Sequence, residues 1–89
     1  MEGVFLKKVM IDIGHGGTDS GACGNGLKEK DVNLKVGLKI KEYLSLYEVD
    51  IRLSRETDIT IEPNDRTKIV NAFNPNLCVS IHHNACDGK

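Results

Sequence analysis

The sequence lacks tryptophan, and two phenylalanines and two tyrosines are its only aromatic residues. It also lacks any apolar run near the roughly 18 residues of a membrane-spanning helix, so no membrane span is expected. Its first residues, MEGVFLKK, contain no apolar segment of the kind that a secretory signal peptide carries. We therefore expect either an export route without such a signal or a leader that has been removed.

A strong net charge is missing as well. Twelve basic and thirteen acidic side chains nearly cancel, which leaves a formal net charge of −1. Domains that bind nucleic acid or an anionic membrane usually present a basic surface, so the composition predicts neither partner. The length of 89 residues allows one domain at most. A chain of this size buries only about 60% of its unfolded surface, and we expect marginal stability.

The cysteines do not predict a disulfide framework. Cys23, Cys78 and Cys86 are odd in number and form no C-x-x-C pair, so free thiols are expected. Cys86 stands four residues after His82 and is a conceivable metal ligand, but no second cysteine accompanies it.

What the sequence does contain is an alternation of strand and helix patterns. Residues 9–13 form a β-branched run that is typical of a strand buried on both faces. Residues 49–53 alternate apolar and polar side chains, and residues 77–82 form a third apolar run. Six glycines between Gly14 and Gly26 indicate a loop with unusual backbone angles.

Two helices are predicted between these strands. The first should begin near Glu29 to Asp31, with Asp31 as its N-cap, and run to about Tyr47. Its apolar face is expected to consist of Val36, Ile40, Tyr43, Leu44 and Tyr47. The second should begin with Pro63 at its first position and end at Asn74-Pro75. Its apolar stripe is expected to consist of Ile69, Val70 and Phe73.

The resulting order, β-α-β-α-β, predicts a three-layer α/β fold with parallel strands. In such sheets, ligands bind beyond the carboxyl ends of the strands. His15 lies just past the first strand, His82 lies at the end of the third, and Glu29 lies where the first helix begins. The topology therefore predicts that these three side chains converge on one rim of the sheet.

Two histidines and one glutamate form a donor set typical of catalytic zinc, which leaves a fourth position open. Zinc lowers the pKa of a bound water to about 7 and polarises a carbonyl oxygen, and both effects serve amide hydrolysis. The spacing of the three residues is long and is a weak signal by itself. Structural alternatives are an exposed loop role for His15, in which it caps backbone groups, and a helix-dipole role for Glu29.

Two sequence blocks make the interpretation more specific. From Met10 the chain reads MIDIGHGGTDSGACGNGLKEKD, and near its end it reads VSIHHNA. Between them stand Ser54-Arg55, Arg66 and Asn71-Ala72. From Lys8 to Ala85 the chain resembles the zinc-dependent N-acetylmuramoyl-L-alanine amidases of the amidase-3 type.

The resemblance implies that His15, Glu29 and His82 bind Zn²⁺. It also implies hydrolysis of the amide between N-acetylmuramic acid and the L-alanine of the stem peptide. The partner would then be peptidoglycan and the place of action the bacterial cell wall, as for an autolysin or a phage endolysin. Residues 1–89 would be the N-terminal part of one larger catalytic domain.

The match to the family's pattern is incomplete at two places. Ile13 stands where the family usually has proline, which predicts a shifted loop and not a lost site. The family's second glutamate, its general acid/base, lies in a later part of the domain, and nothing after Ala85 supplies it. The SIH motif selects His82 over His83, and His83 and Asn84 are the candidates for contacts with the substrate.

Other functions stay open at this point. The chain is alternatively a catalytically silent zinc-binding or wall-binding module, or another zinc hydrolase such as a deacetylase or carboxypeptidase. The glycine loop as a phosphate cradle is a further alternative, although it lacks the G-x-x-x-x-G-K-[ST] and G-x-G-x-x-G orders. A short parallel sheet with an open edge also predicts self-association.

Overall fold

The computed structural model describes residues 7–83 and places seven elements along them. In chain order these are β1 (Lys7–Ile13), β2 (Cys23–Gly24), β3 (Leu27–Lys28), α1 (Glu29–Leu44), β4 (Val49–Leu53), α2 (Pro63–Phe73) and β5 (Leu77–Ile81). Within this part of the chain, neither helix is long and apolar enough to cross a membrane.

The main sheet has the strand order β4-β1-β5, and both pairings are parallel. β1 is central, with Lys7 opposite Val49 at its start and Ile13 opposite Ile81 at its end. A central strand of a parallel sheet must be apolar on both faces, and β1 carries the fully buried side chains of the sheet. The predicted α/β class with parallel strands is confirmed.

The helices cover opposite faces of this sheet, which gives the predicted three layers. Ile11 and Ile13 of β1 pack with Leu53 and Ile81 into the core under α1. Met10 points to the other face, where it lines a groove beside α2. Alternate residues of one strand therefore serve the two helices.

Helix α1 buries only part of the face expected for it. Its buried residues are Glu29, Asn33 and Gly37, whereas Tyr43 remains 67% exposed. Gly37 allows a close approach, because a Cβ atom at this position would lie 2.0 Å from Ile13 Cδ1. Leu34 and Ile40 also pack against the core. Ile40 is therefore placed as predicted, whereas the extension of the apolar face through the two exposed tyrosines was wrong.

Several boundaries also differ from the prediction. Helix α1 begins at Glu29 with Lys28 as its N-cap, so Asp31 lies in the first turn and is not the cap. The helix ends at Leu44 and not near Tyr47. The short antiparallel hairpin formed by β2 and β3 was not predicted at all. Pro63 does open α2, and left-handed Asn74 ends it.

Candidate metal centre

His15, Glu29 and His82 come together at the carboxyl end of the sheet. One ligand atom from each residue lies within 4.8 Å of the other two. His15 follows β1 by two residues, Glu29 opens α1, and His82 directly follows β5. The parallel topology produces this convergence, because it brings the ends of β1 and β5 side by side.

The distances between these side chains suit a small tetrahedral cation. His15 Nε2 lies 3.2 Å from Glu29 Oε1, and His82 Nδ1 lies 3.5 Å from Glu29 Oε2. The two distances end on different oxygens of Glu29, and each is near the roughly 3.3 Å between neighbouring ligands of a tetrahedral ion with bonds of about 2.0–2.1 Å. The two imidazole rings meet edge to face, with centroids 5.2 Å apart. The donor set and its spacing therefore fit zinc.

A carboxylate orients the His15 ring. Asp19 Oδ2 lies 2.8 Å from His15 Nδ1, and this contact orients the ring so that Nε2 faces Glu29. The hydrogen bond from His15, together with one from the Gly21 amide, lowers the pKa of Asp19. In histidines that bind metals, one ring nitrogen is usually hydrogen-bonded to a carboxylate or a carbonyl group and the other faces the metal. The side chain of His15 is 25% exposed, so it lies between core and surface.

Glu29 is held as a carboxylate. It is buried at 7% exposure, and burial alone would raise its pKa. The backbone N–H groups of Ala22 and His83, at 3.0 and 2.8 Å, and the side chain of Asn33 outweigh that effect and lower the pKa to about 2. Each carboxylate oxygen thus receives a backbone donor and faces one histidine. The site offers a fixed negative charge at neutral pH.

Asn33 connects the parts of this rim. It is fully buried, and its Nδ2 donates to Gly14 O at 3.1 Å and to Glu29 Oε2 at 3.4 Å. Its Oδ1 lies 2.5 Å from His83 Nδ1, which is therefore the protonated nitrogen of that ring. The ring of His83 is thus directed to Asn33 and does not join the group formed by His15, Glu29 and His82. The sequence interpretation missed Asn33, although its position four residues after Glu29 places both on one helix face.

Two arginines support the loop that carries His15. Arg55 Nε donates to His15 O at 2.6 Å, and Arg66 Nη2 reaches the same oxygen at 3.3 Å. Arg66 also pairs with Asp12 at 2.6 Å, which fixes α2 against β1. This contact gives Arg66 a structural role. No role for Arg55 followed from the sequence, because its partners lie up to 41 positions away.

Three consecutive amides of the glycine loop are not free to bind a phosphate. Gly16 N donates to Asp19 O at 2.8 Å, Gly17 N to Asp58 Oδ1 at 2.7 Å, and Thr18 N to Thr60 Oγ1 at 2.9 Å. These three donors are already bonded within the protein. The geometry therefore gives no support to the phosphate-cradle alternative. Asn84 and Cys86, named above as candidates, lie outside the described residues.

A groove of about 510 Å³ opens beside the two histidines. Three threonine hydroxyls, two carboxylates and a short aliphatic wall surround it. Its lining consists of His15, Thr18, Asp19, Thr60, Ile61, Glu62, Pro63, Arg66, Thr67 and His82. The groove gives a polar substrate a place to lie next to the candidate metal ligands.

Comparison with known proteins identifies related sequences. A sequence model of the N-acetylmuramoyl-L-alanine amidase family matches residues 9–89. The endolysin of Bacillus phage SPP1 is 49% identical over 83 residues, which cover 92% of this chain and 31% of that protein. A sporulation-specific N-acetylmuramoyl-L-alanine amidase of Bacillus subtilis is 43% identical over 85 residues, covering 93% and 33% of the two chains.

One solved structure is similar to most of this chain. The N-acetylmuramoyl-L-alanine amidase AmiC2 of Nostoc punctiforme superposes with a TM-score of 0.85 at 42% sequence identity. The superposition covers 93% of this chain and 47% of that one. The chain thus spans about a third of the length of the curated relatives it matches.

Proposed function

The chain belongs to the N-acetylmuramoyl-L-alanine amidase family, and on this premise we propose that it is part of a zinc-dependent peptidoglycan amidase. The reaction is hydrolysis of the amide between N-acetylmuramic acid and the L-alanine of the stem peptide. The observation that carries the proposal is the convergence of His15, Glu29 and His82. The proposed place of action is the bacterial cell wall.

The proposed metal ligands are His15 Nε2, Glu29 and His82 Nδ1. Nitrogen and carboxylate donors at these separations suit zinc better than calcium or magnesium, which prefer oxygen ligands. When bound, zinc supplies Lewis acidity toward the carbonyl oxygen and lowers the pKa of water. The chain's own residues hold the site: Asp19 fixes the His15 ring, and backbone amides fix Glu29.

The groove beside His15 and His82 is the proposed place for the substrate. Thr18, Thr60 and Thr67 line the groove. Thr67 Oγ1 already donates to Pro63 O and the hydroxyls of Thr18 and Thr60 bond to each other, so their remaining lone pairs are what they offer to a sugar or a peptide backbone. The wall formed by Ile61 and Pro63 supplies apolar contact. A substrate in this groove would place its amide next to the metal ligands. His83 and Asn84 remain proposed substrate contacts.

Proton transfer is not assigned to any residue in the described part of the chain. By resemblance, that role belongs to a glutamate in a later part of the family's domain. We therefore propose residues 1–89 as the N-terminal part of one catalytic domain. The 89-residue chain by itself is expected to hold zinc and to hydrolyse peptidoglycan slowly or not at all.

The test is incubation of the purified chain with peptidoglycan and added Zn²⁺, followed by labelling of newly freed L-alanine amino termini. Release that disappears in His15→Ala supports the amidase. Zinc binding without release is expected of this chain both as the N-terminal part of an amidase and as a silent binding module. A longer chain that includes the downstream segment separates the two, because release by that chain supports the amidase and its absence supports the module. Release of acetate, or of a carboxy-terminal amino acid, identifies a deacetylase or a carboxypeptidase and contradicts the proposal.

A further inference from the structure

Arg55 is a buried cation without an anionic partner. Only 3% of its surface is exposed, yet no carboxylate of residues 7–83 lies within ion-pair distance of its guanidinium group. Burial, together with the neighbouring Arg66, lowers the pKa of Arg55. A charge in such surroundings is costly unless its donors are all used.

Main-chain carbonyl groups take up those donors. Arg55 Nε donates to His15 O at 2.6 Å, and Nη2 donates to Gly14 O at 3.1 Å and to Lys30 O at 2.9 Å. A fourth bond joins Nη1 to Thr57 O at 2.9 Å. Two of the acceptors belong to the loop that carries His15, and one belongs to the residue after Glu29. A single planar group therefore sets the distance between two segments that each carry a proposed ligand.

The loop at His15 needs such support. His15 has a φ angle of +63°, a left-handed conformation that costs a non-glycine residue about 1–3 kcal/mol. Gly16 leaves room for the arginine, because a Cβ atom there would lie 2.6 Å from Arg55 Nε. Strained His15 and Arg55 are therefore tightly packed against each other at the proposed metal centre.

We propose that Arg55 is a positioning residue for the metal centre, which sets the spacing of His15 and Glu29 through their main chain. This inference rests on the proposed metal site. It goes beyond a role in stability, because the guanidinium group binds both of the segments that carry a proposed ligand. Lysine at this position keeps the charge but offers one compact ammonium group, which cannot hold three carbonyl groups in fixed directions.

The experiment compares Arg55→Lys with the matched change Arg52→Lys. Arg52 lies three positions earlier with a 64% exposed side chain, and it makes no contact with the metal centre. Zinc affinity is measured by competition with a chromophoric chelator, and the geometry is read from the visible absorption of bound Co²⁺. Circular dichroism of the metal-free chains shows whether each variant is folded.

Arg55→Lys is expected to lower zinc affinity about 10- to 100-fold, the usual effect of losing support for metal ligands, and to change the cobalt spectrum. Arg52→Lys should match the wild type in both readouts. A loss of stability alone does not produce this result, because it leaves the affinity of the folded chain unchanged while the folded form dominates. Wild-type affinity and spectrum in a folded Arg55→Lys chain overturn the inference and leave the proposed function standing.

Two further outcomes are decisive. If metal-free Arg55→Lys is unfolded, the comparison is repeated in a stabilising osmolyte in which both chains are folded. A lower zinc affinity of Arg55→Lys than of the wild type under those conditions supports the inference, and an equal affinity overturns it. A wild-type chain that binds no zinc removes the proposed metal site itself, and the positioning role falls with it.

Discussion

Replacing Gly37 with alanine should force α1 away from the core, and the structure identifies the atom responsible. The new Cβ would lie 2.0 Å from Ile13 Cδ1 and 3.3 Å from Ile13 Cγ1. Overpacking of this kind costs about 1–3 kcal/mol. Alanine returns about 0.8–1.0 kcal/mol of helix propensity. The expected net loss of unfolding free energy for Gly37→Ala is therefore about 0–2 kcal/mol.

Ile13→Val removes the Cδ1 atom that the new methyl group would meet. Alone, this change should cost about 0.5–1.5 kcal/mol. In the double variant the contact with Ile13 Cδ1 is absent and the gain in helix propensity remains. Its free energy of unfolding should therefore lie within about 1 kcal/mol of that of the wild type. The two changes should thus couple favourably by about 1–3 kcal/mol.

Urea unfolding of the metal-free chains, followed by circular dichroism, measures the stability of the wild type, the two single variants and the double variant. Additivity of the two changes to within about 0.5 kcal/mol would refute the packing of Gly37 on Ile13. The close contact of Gly37 with Ile13 would then no longer explain where α1 lies, nor why Glu29 at its start reaches the rim.

Three further predictions concern the rim and the sheet edge. Asn33→Ala should lower the unfolding free energy by about 1–3 kcal/mol, measured in urea, because it removes three hydrogen bonds made by a fully buried side chain; an unchanged midpoint would count against its central role. Folding lowers the pKa of Glu29 from 4.5 to about 2, so its carboxylate stabilises the metal-free fold fully above about pH 4.5 and less as the pH falls toward 2. Glu29→Gln should therefore flatten this part of the acid-unfolding profile, and a profile that keeps the wild-type slope would contradict the assignment. Self-association through the edge strand β5, where Leu77 is 56% exposed, should appear in sedimentation velocity and decrease in Leu77→Lys, whereas a monomeric wild type at high concentration would speak against it.

The sequence was sufficient for features that neighbouring residues encode. The apolar run at 9–13, the alternation at 49–53 and Pro63 each specify local structure, and each element is found where it was predicted. Once the strand order is known to be parallel, the placement of His15 and His82 at one rim follows from topology alone. The main features of the fold and the proposed ligand set were therefore accessible without coordinates.

Features that depend on distant partners were not accessible. Arg55 looks like an ordinary residue at the end of a strand, and its role depends on carbonyl groups 25 to 41 positions away. The face of α1 was misjudged because the helical pattern favours large apolar residues such as Tyr43. The helix instead buries Gly37 and Asn33 most deeply, with Ile40 partly buried beside them, because the small and polar residues permit close contact and hydrogen bonding.

The central claim is that His15, Glu29 and His82 bind one zinc ion together. Titration of the metal-free chain with Zn²⁺ against a chromophoric chelator tests it most directly, with alanine variants of the three residues and His83→Ala as the matched control. The account predicts one tightly bound ion, strong loss of affinity in each of the three variants, and largely retained affinity in His83→Ala. Wild-type affinity in His82→Ala, or a loss confined to His83→Ala, would contradict it.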